Sequence, residues 1–190
     1  MQYTGSIDNR GILEIIRRSC SYVDARLMNH GYRVAYIVSE MLKPYFHEDA
    51  RKIRDVCFLT LLHDIGAYKT DEISKMLQFD TNDVLAHSVY GYLFIKYFSP
   101  LKKLSGAILL HHATWQVLEH SEVFPEGIRL LAQVIHVADR IDVAMEVQHL
   151  TWEETAALLK KGSGTKFSPL IADLALACDF HTPFEGDTDA

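Results

Sequence analysis

Apolar residues recur along most of this chain at the three- and four-residue spacing that is typical of amphipathic helices. One such stripe, which is followed by the helix terminator Pro44, consists of Val34, Ile37, Val38, Met41 and Leu42. The same spacing predicts further helices from Ile53 into His63-Asp64, from about Asp83 to Phe98, from Leu104 into His111-His112, and from Ile128 to Asp139. We expect an all-α fold of seven or eight helices in a single domain over residues 1–190, with a core of about residues 15–180 and a frayed tail at 185–190.

Residues that begin or end helices occur where these stripes stop. We interpret Gly66 as a helix stop and predict a short helix from Thr70 to Leu77. The helix near residues 83–98 is expected to bury one seam, made of Val84, His87, Gly91, Phe94 and Phe98.

The C-terminal third carries clear capping patterns. Thr151 and Glu154 form a capping box for a helix that ends with Gly162 in the C′ position. Ser168-Pro169 has the pattern of an N-cap followed by proline at the first helical position, and it predicts a last helix through about Cys178.

The composition narrows the classes of partner. The net charge is −6 and the pI is about 5.9, so we expect no binding to DNA, RNA or an anionic membrane, which require clustered Lys and Arg. No apolar run reaches the roughly 20 residues that span a bilayer, and no signal peptide is expected. Cys20, Cys57 and Cys178 form no CxxC pair, which favours a reducing cytoplasm. The oligomeric state stays open.

Histidine is unusually frequent, with ten residues, and several of them fall on the apolar stripes. A buried imidazole or carboxylate is costly unless it is paired or coordinates a metal, although a lone histidine on an apolar face is usually a core residue with a satisfied hydrogen bond. Seven such polar positions on five helices are better explained by convergence on one polar centre. They are His30, His63, Asp64, His87, His111, His112 and Asp139.

The residue types at this predicted centre indicate divalent cations. Imidazoles and carboxylates without a thiolate suit iron, manganese or zinc better than calcium or a copper–thiolate site. A carboxylate such as Asp64 can bridge two ions, which together can share a hydroxide and clamp the oxygens of a phosphoryl group. We therefore predict two divalent metal ions, with iron or manganese favoured and zinc, nickel or magnesium also compatible.

Five short motifs around these residues resemble those of the HD superfamily of metal-dependent phosphohydrolases, and in particular its HD-GYP branch of cyclic-di-GMP phosphodiesterases. They are His30-Gly31-Tyr32-Arg33-Val34-Ala35, similar to H-x-x-R-V-A; Leu61-Leu62-His63-Asp64-Ile65-Gly66, similar to LLHDIG(K); His87-Ser88-Val89-Tyr90-Gly91, similar to H-x-x-x-G; His111-His112, similar to HH(E); and Val137-Ala138-Asp139-Arg140-Ile141-Asp142, similar to V-A-D-x-x-D. An HD dipeptide alone is a weak signal, whereas five motifs in the family's order are a strong one.

The resemblance implies an HD-domain helical bundle around a two-metal site. It implies a first ion held by His30, His63, Asp64 and Asp139. It implies a second ion held by Asp64 as the bridge, together with His87, His111 and His112. Both ions would act on a bridging water or hydroxide, so His63 and Asp64 are expected to be catalytic.

Three departures from the branch's pattern bear on the substrate and the metals. Ala67 replaces the lysine expected after HDIG, and Lys69 is the candidate for its catalytic role, with a solvated surface lysine as the alternative. Residues 113–127 replace the branch's E-R-x-D-G-x-G-Y-P run, so the GYP loop is degenerate and cyclic-di-GMP specificity stays open. Arg26 stands one turn before His30, where some members place a carboxylate for a third metal, and this favours two metals over three.

Three further polar residues lie close in sequence to the predicted ligands. Asp142, one turn after Asp139, is expected to hydrogen-bond a ligand imidazole. Arg33 is expected either to bind a phosphate through two N–H groups or to pair with a nearby carboxylate. His136 is expected either to orient a ligand or a phosphate, or to lie on the helix surface. The other histidines are expected on the surface: His47, His120, His149 and His181.

Together these features predict an enzyme, a metal-dependent phosphodiesterase or phosphomonoesterase that acts on a nucleotide or a cyclic dinucleotide. The altered loop and Ala67 keep a second class open, a catalytically weak signalling module of the same fold that binds a nucleotide or a partner protein. The complete ligand set favours the enzyme. A di-iron redox protein or oxygenase is a third alternative, because the same ligands can hold mixed-valent iron.

Overall fold

The computed structural model describes Ile15, Arg18, Ser19 and residues 25–69 and 85–180. Eight α-helices lie within these ranges: α1 Ala25–Leu42, α2 Phe46–Leu61, α3 Leu85–Phe98, α4 Ser105–Leu110, α5 Trp115–Leu118, α6 Glu126–Asp142, α7 Trp152–Gly162 and α8 Pro169–Leu176. Short 3₁₀ turns occupy Lys43–Tyr45, Ile65–Lys69 and Lys102–Leu104, and a π-helical turn, Val143–Val147, follows α6 directly. The expected all-α fold is confirmed.

The central helix of the described structure is α6. It packs against α1, α4 and α8, and every residue from Ala132 to Asp139 is buried. A helix that is buried on all sides must be surrounded by other elements. Polar residues on this part of α6 are therefore held inside the protein.

Within the described ranges, two hydrophobic clusters share α6. The first joins α1, α6 and the C-terminal helices, and includes Val34, Val38, Met41, Val137, Ile141, Leu159 and Ile171. The second joins the end of α2 with α3, α4, α5 and α6, and includes Leu59, Leu62, Ile95, Ile108, Leu118 and Ile135. Burial of one such side chain contributes about 1.5–3 kcal/mol. The two clusters thus fix the helices that carry the polar stripe.

Gly66 is not a helix terminator, contrary to the prediction. Helix α2 ends at Leu61, and Gly66 lies in the following 3₁₀ turn, where it meets α3. A Cβ at this position would overlap the carbonyl oxygen of His87 and lie 2.5 Å from the backbone nitrogen of Gly91. The close approach of the two backbones requires glycine here, and it brings His87 next to the HD dipeptide.

The predicted seam of α3 is wrong at Phe98. This side chain is 75% exposed, whereas Ile95 is completely buried. Because α3 is apolar on nearly all sides, as Val89 and Leu93 on its exposed surface illustrate, the spacing of its apolar residues does not identify the buried face. The start of the predicted helix before residue 85 lies outside the described residues, as do the predicted helix over residues 70–77 and the tail at 185–190.

The capping predictions for the C-terminal helices are largely confirmed. The Thr151–Glu154 capping box is formed at the start of α7, and Pro169 follows the N-cap Ser168 at the start of α8. The exception is Gly162, which is the last residue of α7; Gly164 occupies the C′ position, with a φ of +79°. Helix α8 ends at Leu176, slightly earlier than predicted.

No helix in the ranges 25–69 and 85–180 has both the length and the apolar character needed to cross a bilayer. Cys57 and Cys178 are free thiols and are half-buried.

Candidate metal centre

The structure brings six of the seven predicted ligand residues together around the carboxylate of Asp64, and the seventh, Asp139, lies beside His30. Its Oδ2 lies 3.2 Å from Nε2 of His63 and 3.6 Å from Nε2 of His30. Its Oδ1 lies 3.4 Å from Nε2 of His111 and 3.5 Å from Nε2 of His87. The two carboxylate oxygens thus face different pairs of imidazoles.

Among the described residues, the candidate ligand atoms form two compact groups that share Asp64. The first group consists of His30, His63 and Asp64. The second group consists of Asp64, His87, His111 and His112. Within each group the ligand atoms lie within 4.8 Å of one another. This is the arrangement expected for a carboxylate that bridges two ions.

The HD and HH dipeptides lie in turns just beyond helix ends, and this position orients two of their imidazoles. Nδ1 of His63 donates to the carbonyl of Thr60 at 2.8 Å, and Nδ1 of His111 donates to the carbonyl of Ile108 at 2.6 Å. Both carbonyls belong to the last turn of a helix, where helical partners are missing. A carbonyl can only accept, so Nδ1 carries the proton, and in the neutral ring Nε2 presents its lone pair to the centre.

Asp142 orients a third ligand imidazole, that of His30. Nδ1 of His30 lies 2.6 Å from Oδ2 of Asp142, and Arg33 donates to both oxygens of the same carboxylate. The contact expected between Asp142 and a ligand imidazole is therefore present. Of the two alternatives for Arg33, the structure contains the pairing with a carboxylate.

Asp139 lies at the edge of the first group. Its Oδ1 is 3.3 Å from Nε2 of His30. Its Oδ2 accepts hydrogen bonds from the guanidinium of Arg140, at 2.6 Å from Nη2 and 3.1 Å from Nε. The sequence did not lead us to predict that Arg140 pairs with Asp139. The only indication of this pairing is that the two residues are adjacent in the sequence.

The carboxylates of the centre are held in their ionised form. Burial acts to raise the pKa of Asp64, but the neighbouring imidazoles, above all that of His63, outweigh burial and hold that pKa well below its ordinary value. For Asp139, burial also acts to raise the pKa, and Arg140 and His30 bring it well below the ordinary value. Two negative charges therefore persist inside the protein.

The imidazoles divide into two classes. Burial lowers the pKa of His87 to about 4, and burial together with the charge of His111 takes the pKa of His112 far below its ordinary value. For His30, burial acts to lower the pKa, but hydrogen bonds with Asp139 and Asp142 raise it to about 10. His87 and His112 of the second group thus offer neutral imidazoles, whereas His30 of the first group attracts positive charge.

Four buried polar atoms of the candidate ligands have no hydrogen-bond partner in the part of the chain that the structure describes. They are Nε2 of His63, Oδ1 of Asp64, Nδ1 of His87 and Nε2 of His111. Leaving such an atom without a partner costs about 1–3 kcal/mol. All four are atoms of good metal ligands, and Oδ1 of Asp64 lies 3.4 Å from Nε2 of His111. The residues therefore fit divalent metal ions.

His136 lies inside the protein and not on the helix surface. It is only 7% exposed, and its ring packs against Phe167 with centroids 5.3 Å apart. Its Nδ1 lies 3.3 Å from the carbonyl oxygen of Ala113. Burial lowers the pKa of His136 to about 4, so its imidazole is neutral at neutral pH.

Ala67 stands at the position where the branch has a lysine, and Lys69 follows two residues later. Ala67 is completely buried, and its N–H donates to the carbonyl of Asp64 at 2.9 Å, so this position brings no charge to the centre. Lys69 ends the 3₁₀ turn after the HD dipeptide, but its side chain lies outside the described residues. His120 and His149 are exposed as expected, and the side chains of His47 and His181 lie outside the described residues.

Comparison with known families agrees with this geometry. The model of the HD domain family matches residues 27–144, which is more than half of the chain and includes all seven candidate ligands. Helices α7 and α8 lie beyond the matched range. A comparison with curated proteins found no similar sequence.

Proposed function

Because this chain belongs to the HD domain family of metal-dependent phosphohydrolases, we propose that it hydrolyses a phosphodiester bond in a cyclic dinucleotide or another nucleotide phosphate ester. The observation that carries the proposal is the pair of ligand groups that share the Asp64 carboxylate. A phosphoryl group in transfer bears negative charge on several oxygens, which two adjacent cations can neutralise. The five ordered motifs support a place beside the HD-GYP branch, with a degenerate GYP loop.

In this proposal each ligand group holds one ion. The first ion is held by His30, His63, Asp64 and Asp139, and the second by Asp64, His87, His111 and His112. When bound, the ions supply Lewis acidity that lowers the pKa of a water molecule and stabilises phosphoryl charge. Imidazole and carboxylate ligands without a thiolate favour iron or manganese.

The protein's own contribution is to hold this ligand set in place before substrate arrives. The hydrogen bonds to the carbonyls of Thr60 and Ile108 and to Asp142 orient three imidazoles without help from a ligand. Such preorganisation lowers the cost of reaching the charged transition state. The net charge of −6 supports a small nucleotide and not DNA or RNA as the partner, and the free thiols support a reducing cytoplasm.

The test is phosphate-ester hydrolysis by protein that is purified anaerobically and loaded with Fe(II) or Mn(II). The substrates are cyclic-di-GMP, its linear dinucleotide and simple nucleotides. We expect turnover of at least one of them, and loss of that turnover in His63→Ala and in Asp64→Ala. His120→Ala is the matched control, because His120 is exposed and belongs to neither ligand group. Turnover that survives either ligand substitution would contradict the proposal.

A second candidate function is a signalling module that binds a nucleotide or a partner protein with little catalysis. The observation that favours it is the buried Ala67 at the position of the branch's lysine. This candidate predicts that metal-loaded protein binds cyclic-di-GMP in equilibrium dialysis without hydrolysing it. Substrate-dependent oxygen uptake would instead support di-iron redox chemistry.

A further inference from the structure

Gln133 on α6 is completely buried, and both ends of its amide bind the backbone of other segments. Its Nε2 donates to the carbonyl of Ala113 at 2.8 Å, and its Oε1 accepts from the N–H of Ser168 at 2.8 Å. Ala113 directly follows His112, and Ser168 is the N-cap of α8. The amide therefore joins the turn of the second ligand group to the C-terminal helices.

Backbone hydrogen bonds make the same connection. The N–H of Trp115 donates to the carbonyl of Lys166, and the N–H of Gln116 donates to the carbonyl of Thr165, each at 2.9 Å. These bonds and the Gln133 amide attach residues 113–116 to residues 165–168. The first residues of the stretch that replaces the GYP loop are thus docked against the C-terminal segment.

Aromatic packing between Phe167, His136 and His112 supports the same docking. The ring of Phe167 lies against His136, and the ring of His136 is 6.5 Å from that of His112. A Cβ at Gly162 would lie 2.7 Å from the Phe167 ring, so the turn from Gly162 to Phe167 is tightly closed around that ring. The C-terminal segment therefore reaches the neighbourhood of the second ligand group.

The side chain of His112 needs such support more than its neighbours do. His63 and His111 are oriented by hydrogen bonds from their own Nδ1 to helix carbonyls. In the described part of the chain, Nε2 of the His112 ring is hydrogen-bonded to Nε2 of His87 at 2.9 Å. His87 is itself a candidate ligand, so this bond is not an anchor to the helix backbone. The orientation of His112 thus depends on the backbone that carries it.

We propose that Gln133 is a positioning residue that holds His112 in place for the second ion. Through the Gln133 amide, residues 145–180, which lie beyond the matched family range, support the turn that carries His112. The inference rests on the proposed function only in requiring that the centre binds ions. A buried amide with both ends paired is costly to replace, because each lost partner leaves a backbone group unsatisfied.

The test is anaerobic titration of Mn(II) into wild type and Gln133→Met by isothermal calorimetry. Methionine has a similar length and volume but forms neither hydrogen bond. We expect two binding events in wild type, and in the variant a second-ion affinity lower by about tenfold to a hundredfold with the first-ion affinity unchanged. Thr155→Val is the matched control, since it removes one buried hydrogen bond, to the carbonyl of Thr151 within the C-terminal segment, and it should retain both affinities.

A second measurement uses only wild type, in case Gln133→Met does not fold. Because coupling between two sites is reciprocal, Mn(II) binding should slow amide hydrogen exchange in residues 162–168 more than in residues 152–158 of α7. Equal second-ion affinity in Gln133→Met and wild type would overturn the proposal, and so would unchanged exchange at 162–168. A wild type that binds two ions but hydrolyses no phosphate ester would contradict the proposed function alone.

Discussion

At the scale of single residues, the metal centre depends on which nitrogen each imidazole presents. The convergence of the seven ligand candidates could be predicted, because each polar residue stood on an otherwise apolar stripe. The anchors of His63 and His111 could not be predicted, because they are the backbone carbonyls of Thr60 and Ile108, and a carbonyl has no sequence signal. The anchor of His30 is a side chain, Asp142, and its helical spacing from Asp139 indicated it in advance.

This geometry predicts a specific defect in Asp142→Asn. The carboxylate accepts from Nδ1 of His30 and from Arg33, and an amide offers only one oxygen for both donors. We expect the affinity for the ion of the first group to fall by about tenfold to a hundredfold, measured by Mn(II) titration. Asp173→Asn, on an exposed position of α8, should bind Mn(II) as wild type does. An unchanged affinity in Asp142→Asn would show that this anchor is dispensable.

At the scale of elements, the sequence patterns were reliable where a helix has one buried face. The stripe of α1 is buried from Val34 to Met41, as its spacing predicted. They were less reliable for α3, where apolar residues occur on all sides and Phe98 is exposed. The prediction that Gly66 ends a helix was wrong for a related reason. A local pattern suggests that Gly66 ends a helix, whereas its physical role comes from a distant helix that packs against it.

Gly66→Ala should therefore destabilise the protein through overpacking. The new methyl group would overlap the backbone of α3 at His87, and we expect a loss of about 1–3 kcal/mol or more in the free energy of unfolding. Urea denaturation gives this value. Gly127→Ala in α6 is the control, because no heavy atom lies within 4 Å of a Cβ there, and it should be neutral or stabilising by up to about 1 kcal/mol. Equal stabilities of the two variants would refute the close approach.

At the scale of the whole molecule, the metal centre lies where elements of both hydrophobic clusters meet. Fold class and family could be predicted, because helical spacing and five ordered motifs are local features of the sequence. The docking of residues 113–116 on residues 165–168 could not be predicted. It depends on backbone pairs and on one glutamine, Gln133, and neither belongs to a periodic pattern.

Removal of the ions should lower the stability of the entire fold, because buried polar atoms at the centre then have no partner. With free Mn(II) at a hundredfold its Kd, one site adds about 2.7 kcal/mol of stability. For a protein of this size that corresponds to a Tm about 5–10 °C higher per occupied site. Calorimetric scans with Mn(II) and with EDTA measure the difference. Identical Tm values in the two scans would indicate that the folded protein does not bind the ion.

The most direct test of the central claim, two ions that share Asp64, is the metal content of Asp64→Asn beside that of wild type. Both proteins are loaded with Mn(II), desalted and measured by elemental analysis, with circular dichroism to establish that each is folded. We predict two ions per chain in wild type and at most one in Asp64→Asn, because an amide cannot bridge two cations as a carboxylate does. Two ions per chain in folded Asp64→Asn would contradict the account.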